Sequence, residues 1–330
     1  MNSFKSITPR DFKDFLGNGE NKERMINLFQ QFIEENHVAI LQEIKSAVMY
    51  YSKDGKCTLI DSEGSREFQS LTSDQEEADT KVVLHSYFAL NQDQKNVILA
   101  SHSADTDIIV LMAAHLKSQY GHRIFIINGS GTNKIKFWLK DLSIDDSQSR
   151  AIIGMHAFSG NDYVSSFFRK GKKKCWQVMI QYSQESAFEE LGNDWDISQQ
   201  LREELEIYVC RLYGCDEKDV NVVRWNLHNK KFVRQNKSID LASLLPCQQV
   251  LNIHIERANY VARIWKLSLQ RMINVPSFIG RGWNNFGEVD WITQEFPDEM
   301  EEIFFDPAYN DDENMFEDEN SSEEEDSDDE

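Results

Sequence analysis

No stretch of this 330-residue chain approaches the roughly 18 consecutive apolar residues that a membrane helix needs. There is no amino-terminal signal peptide, and the five cysteines, at 57, 175, 210, 215 and 247, form no C-x-x-C pair. An odd number cannot all close within one chain. The expectation is reduced thiols in a soluble intracellular protein, nuclear or cytoplasmic, with no membrane partner. The chain also lacks a G-x-x-x-x-G-K-[ST] phosphate loop, and "NGSGTN" at 128–133 is too short for a dinucleotide fingerprint. Neither His102 nor His156 stands in an H-x-x-x-H or H-x-E spacing that would support zinc.

Basic residues are missing from one region altogether. Residues 295–330 hold 19 of the 56 acidic side chains and no Lys or Arg, which leaves residues 1–294 with a formal charge of only about −2 out of −21. This low-complexity stretch, ending "ENSSEEEDSDDE", cannot bury enough apolar surface to offset its ordering entropy. It is expected to be a disordered arm that binds basic proteins or competes with nucleic acid for a basic segment at 169–174. The body, by contrast, has ordinary globular composition, 40% hydrophobic and 11% aromatic over the whole chain. That is enough for one sizeable core or two modest ones.

In "NKERMINLFQQFIEENHVAIL" the helical spacing of Met25, Leu28, Phe29 and Phe32 predicts an amphipathic helix. "KCTLID" at 56–61 reads as a short strand, and Ser73 with Glu76 as a capping box opening a second helix whose Val82, Val83, Ser86 and Tyr87 face inward. "NVILAS" at 96–101 and "RIFIING" at 123–129 have the pattern of strands buried on both faces. Between them "IIVLMAAHLKSQYG" is a helix stopped by Gly121, and a further helix covers "SQSRAIIGMHAF". Helix and strand alternating in this way predict an α/β fold built of crossovers on a mostly parallel sheet. The expected organisation is an amino-terminal helical segment (1–40), an α/β core (41–180), a helix-rich region (181–294) and the acidic tail (295–330).

Ligands of such sheets lie beyond the carboxyl ends of the strands. Acidic residues gather at positions of that kind: Glu77 and Asp79 in "EEADT", Asp105 and Asp107 in "SADTD", and Asp162 in "SGNDY". Each has a structural explanation as well. Glu76 is accounted for by the capping box; Glu77 and Asp79 suit a helix's first turn, Asp105 a helix N-cap and Asp162 an Asx turn. Glu77 and Asp79 would also point about 200° apart on an ideal helix, so one site can use both only if it wraps the helix end. Together the five suggest a single cluster. Two unit charges about 4 Å apart repel by about 4 kcal/mol at an effective dielectric near 20. Such a cluster needs cations, and an all-oxygen set suits Mg²⁺ or Mn²⁺, a pair of which can drive phosphodiester hydrolysis.

In that order, "EEADT", "SADTDIIVL" and "HAFSGNDYVSSFFRKGKKKCW" resemble the acidic blocks of the PIN-like nuclease superfamily, in particular its flap endonuclease and XPG branch. The wording is closer still to a group of animal proteins derived from mobile elements, and "LLPCQQVLNIHIERANYVARIW" and "FIGRGWNNFGEVDW" also look like that group. The resemblance implies a PIN-like fold and a metal-dependent nuclease acting on DNA or RNA, branched or single-stranded. It assigns Glu77, Asp79, Asp105, Asp107 and Asp162 as catalytic metal ligands. Arg169, Lys170, Gly171, Lys172, Lys173 and Lys174 match the Gly/Lys-containing segment that holds nucleic-acid phosphate in the family. Flap endonucleases carry further acids on an amino-terminal strand, which are not expected in this chain, and Asp61 is a weak substitute. The alternative is therefore a fold that has lost its chemistry and acts as a nucleic-acid or protein interaction module. His102 and His156 suit structural or ligand-supporting roles, and Trp225, Trp265, Trp283 and Trp291 suit packing of the carboxyl-terminal layer.

Overall fold

The computed structural model describes residues 11–92, 96–101, 106–230 and 241–288. The tail at 295–330, Trp291, His102 and Asp105 lie outside the described residues. Three helices come first: α1 (Phe12–Gly17), α2 (Gly19–Glu35) and α3 (His37–Glu43). Asn18 starts α2 by accepting a hydrogen bond from the Glu20 backbone N–H. The helix is as the spacing predicts, but its apolar face is not packed. No residue of α2 is buried, and Phe29 is 58% exposed.

An antiparallel meander follows, β1 (Met49–Lys53), β2 (Lys56–Asp61) and β3 (Gly64–Glu67), in the order β1-β2-β3. Asp54 and Gly55 both have positive φ, as a two-residue hairpin turn requires. The meander packs through Cys57 and Leu71 onto Leu84 of α4 (Ala78–Asn91), helped by the rings of Tyr50, Phe68 and Phe88.

The second sheet holds β4 (Val97–Ser101), β5 (Ile124–Asn128) and β6 (Ile135–Trp138). The pair β4–β5 is parallel and β5–β6 antiparallel, so the expected mostly parallel sheet is corrected to a small mixed one. β5, the central strand, is buried at alternate positions. β4 is not the doubly buried strand its apolar run suggested: among the described residues it pairs only with β5, and Ile98 is 66% exposed. Between β4 and β5 runs α5 (Asp107–Tyr120), ending at Gly121 as expected.

The remaining helices are α6 (Asp146–Ser159), α7 (Lys172–Gln181), α8 (Glu185–Glu190), α9 (Gln199–Leu212), α10 (Val220–His228) and α11 (Gln248–Lys266). The described residues thus form a helix-rich α/β fold of eleven helices and two three-stranded sheets. No described helix is long and apolar enough to cross a membrane, and all five cysteines are free. One hydrophobic core runs from Val83 to Trp265 and draws on both sides of residue 180. It buries Val83 completely, with Val82 and Tyr87 packed against it, as the helical spacing predicted. Trp265 is buried and Trp283 packs on the same core, whereas Trp225 is 65% exposed.

α6 and α8 meet at Gly154, where an added Cβ would stand 2.1 Å from the Phe188 carbonyl oxygen. Neither helix backbone can yield without disturbing the buried Phe158 and Phe188 rings, 5.7 Å apart. Gly154→Ala should therefore lower the urea midpoint by an amount equivalent to about 1–3 kcal/mol, with little change in slope. An unchanged midpoint would mean that the two helices are not in backbone contact.

Candidate active site

The sequence placed the start of α4 at Ser73, but the first helical residue is Ala78, and Ser73–Glu77 are not helical. The residues between them are tied to distant partners instead. Asp74 accepts hydrogen bonds from the backbone N–H groups of Ile273 and Asn274 at 2.8 and 3.0 Å, and the Gln75 amide donates to the Ser268 carbonyl at 2.9 Å. The Ser73 N–H is bound by the Gly55 carbonyl. Partners almost 200 residues away hold this segment out of a helix, so no capping box forms with Glu76.

Glu77 is consequently the N-cap of α4 with extended backbone, φ −71° and ψ 139°. The 200° separation expected of two residues on a helix does not apply. Glu77 and Asp79 both line a cleft of about 230 Å³ at the helix N-terminus, joined there by Asp107, Asp162, Tyr163 and Trp265. Asp107 comes from the first turn of α5. Asp162 comes from the loop after α6, where Gly160 has φ +114° and a Cβ would meet Ser166 at 2.7 Å. Asn161 then ties the turn: its side-chain oxygen accepts from the Tyr163 and Val164 N–H groups, at 2.9 and 3.2 Å. The Asx turn foreseen for Asp162 belongs to Asn161, and Asp162 is left exposed at the cleft.

Four of the five expected carboxylates are thus brought to one cleft. The segment carrying Asp105 adjoins α5 but lies outside the described residues. Among the described residues, no group of three or more His, Cys, Asp or Glu stands in an arrangement that could hold a metal ion. The carboxylates converge without forming a closed coordination shell. Asp61 plays a different part: it pairs with Arg66 at 2.6 Å across the β2–β3 turn, and this bond holds its carboxyl below the usual range.

Two of the carboxylates are fixed from behind. The indole N–H of Trp265, on α11, donates to Glu77 at 2.8 Å. Nε2 of His156, on α6, lies 2.7 Å from Asp107. The Lys172 ammonium lies 3.1 Å from Nδ1 and 3.2 Å from Nε2 of the same ring. Lys172 also donates to the Gly160 carbonyl at 2.6 Å. His156 is 2% exposed and its ring centre is 5.7 Å from that of Trp265, so the two supports pack together. His156 had been expected in such a role; Trp265, lying in a helical apolar pattern, carried no local sign of it.

Of the basic run, Lys172 is thus turned toward the site. Lys170 lies over the Tyr213 ring at 4.7 Å and Arg169 over Phe168 at 4.9 Å. Lys173 and Lys174 are exposed on the first turn of α7, for which Gly171 is the N-cap.

Burial is the main cause that pushes the Glu77 carboxyl up from its ordinary value; the charges of Asp79, Asp107 and Asp162 add to it, and the Trp265 hydrogen bond opposes it. Protein-family models, curated proteins and solved structures were each compared with the chain, and none matches.

A raised carboxyl in the folded state means that the unfolded chain releases its proton first, near the ordinary glutamate value of about 4.3. Stability from this group is complete below that value and is lost as pH rises through the raised folded one. Glu77→Gln keeps an acceptor for Trp265 and removes the titration. In EDTA the variant should be more stable than the parent above this window, with the gap closing below about pH 4. Urea unfolding across pH measures it, and a gap independent of pH would show that Glu77 is not held against its neighbours' charge.

Proposed function

We propose that this protein is a metal-dependent nuclease with a PIN-like fold, hydrolysing phosphodiester bonds in DNA or RNA. The observation that carries the reading is the convergence of Glu77, Asp79, Asp107 and Asp162 on one cleft from three separate parts of the chain. The crossover β4–α5–β5, with Asp107 just beyond the end of β4, supports the fold assignment.

The donor chemistry fits Mg²⁺ or Mn²⁺. The four side chains are all-oxygen donors, and the charges of Asp79, Asp107 and Asp162, which add to the burial that raises the Glu77 carboxyl, are ones a divalent cation would offset. They, with Asp105, are the residues that would hold the ion. When bound there, divalent ions polarise the phosphoryl group and acidify water. The chain's own groups do the rest. Trp265 and His156 orient the Glu77 and Asp107 carboxylates, and Lys172 packs against the His156 ring. Lys173 and Lys174, exposed beside Lys172 at the N-terminus of α7, are placed to neutralise phosphates of a bound strand.

Purified protein with Mg²⁺ or Mn²⁺ should cleave single-stranded or branched nucleic acid and lose the activity in EDTA. Removing a group behind a metal ligand commonly costs about 10- to 100-fold, so Asp107→Asn and Asp162→Asn should each cost at least about 100-fold. Trp265→Phe should instead weaken the apparent Mg²⁺ affinity by roughly 10-fold while saturating metal restores most of the rate. Cleavage indifferent to metal, or to both aspartate variants, would overturn the reading.

A further inference from the structure

The acid cleft shares two walls, Glu77 and Tyr163, with a larger cavity of about 800 Å³. This lies within the size range of small-ligand sites. Four aromatic rings line it, those of Tyr163, Tyr260, Phe278 and Trp283, over an aliphatic floor that includes Ile264. The walls are held in place from outside. Tyr260 packs edge-on against Trp283 at 5.6 Å and donates its hydroxyl to the Pro276 carbonyl at 2.8 Å. The turn before Trp283 is fastened by Arg257, which donates to the Gly282 carbonyl at 3.0 Å. The Gly282 site leaves no room for a side chain, since a Cβ would stand 2.6 Å from Arg257.

Charge narrows the occupant. Three acids, Asp74, Glu76 and Glu77, and no Lys or Arg stand among the described lining residues. A phosphate is therefore unwelcome inside. A cationic ligand would need free carboxylates, yet Asp74 is engaged by two backbone N–H groups and Glu77 by Trp265, leaving Glu76 at the rim. What the walls suit is a flat, uncharged ring with N–H donors for that rim. Beyond the shared walls the acid cleft leads through Asp107 and His156 to Lys172 at the start of the basic helix. A strand laid along these groups would meet basic helix, acid cleft and aromatic cavity in turn.

We propose that the aromatic cavity binds one unpaired nucleobase of a single-stranded nucleic acid whose neighbouring phosphate occupies the acid cleft. The proposal rests on the nuclease reading for the position of that phosphate. Stacking on the exposed rings of Tyr163 and Phe278 supplies the affinity, and the edge of the base faces Glu76.

Binding of a labelled single-stranded DNA of about 12 nucleotides to the full chain, in Ca²⁺ without Mg²⁺, tests it by fluorescence anisotropy. Tyr163 and Phe278 are 54% and 40% exposed, so both tolerate truncation. Tyr163→Ala and Phe278→Ala should each weaken binding by about 5- to 50-fold, and Phe278→Trp, which keeps a stacking face, should retain it. A fully abasic oligomer of equal length should bind the parent weakly and both variants equally weakly. Unchanged DNA affinity in both alanine variants would overturn the proposal, as would equal losses on DNA and the abasic oligomer. So would loss confined to an arginine-rich peptide, the result of a cation pocket. Cleavage in Mg²⁺ is scored separately. Base-dependent binding without cleavage would remove hydrolysis and leave the cavity's role standing, while cleavage with no base dependence would remove the cavity's role alone.

Discussion

The acid cleft depends on one attachment: the non-helical segment Ser73–Glu77 bound to the chain just after α11. Asp74 and Gln75 hold the backbone of Ser268, Ile273 and Asn274, and Glu77 receives the Trp265 indole N–H. A hydrogen bond to a charged group is worth about 1.5–3 kcal/mol net, and several acting on five residues fix the segment firmly. The same bonds keep the segment out of helical conformation, which is why Glu77 reaches the cleft at all. Without them α4 could begin at Ser73, and Glu77 and Asp79 would diverge around its axis. The catalytic-looking geometry of an early segment is thus made by a late one.

The attachment also accounts for how so many acids are tolerated together. A carboxylate taken from water is expensive unless its lone pairs are met. Glu77 is met by an indole N–H and Asp107 by the imidazole of His156, whose ring the Lys172 ammonium adjoins. These donors fix orientation, while burial, and after it the negative potential of the neighbouring carboxylates, raises the Glu77 carboxyl. A directly paired arginine would have quenched that potential, as Arg66 does for Asp61 at the β2–β3 turn.

Much of this was legible in the sequence, in proportion to how local its causes are. β2, α5, β5 and α6 fall where periodicity and caps put them, and α6 starts at Asp145 with a capping box formed by Gln148, three residues away. Glu77, Asp79, Asp107 and Asp162, from the acidic blocks the sequence singled out, line one cleft. The misreadings share one physical origin. The start of α4 was displaced by partners near residue 270, β4 lies open on one face although its run is apolar, and β6 turns antiparallel. Trp265 was unreadable because a helical apolar position says where a side chain is buried, not which polar atom it meets there.

The buried face of α11 and the strap after it serve two chemically opposite compartments. On one side Trp265 offers its N–H to Glu77; on the other Tyr260 and Ile264, from the same helix, line the aromatic cavity. Residues 260, 264 and 265 are four and one apart, so adjacent stripes of one helix turn face each compartment. Because Glu77 and Tyr163 belong to both, neither can shift without reshaping the other. A ligand that orders Tyr163 against the cavity thereby also restricts the loop that carries Asp162, through the Asn161 turn shared by both residues. An aromatic ring bound in the cavity would therefore bear on the two residues that also line the acid cleft.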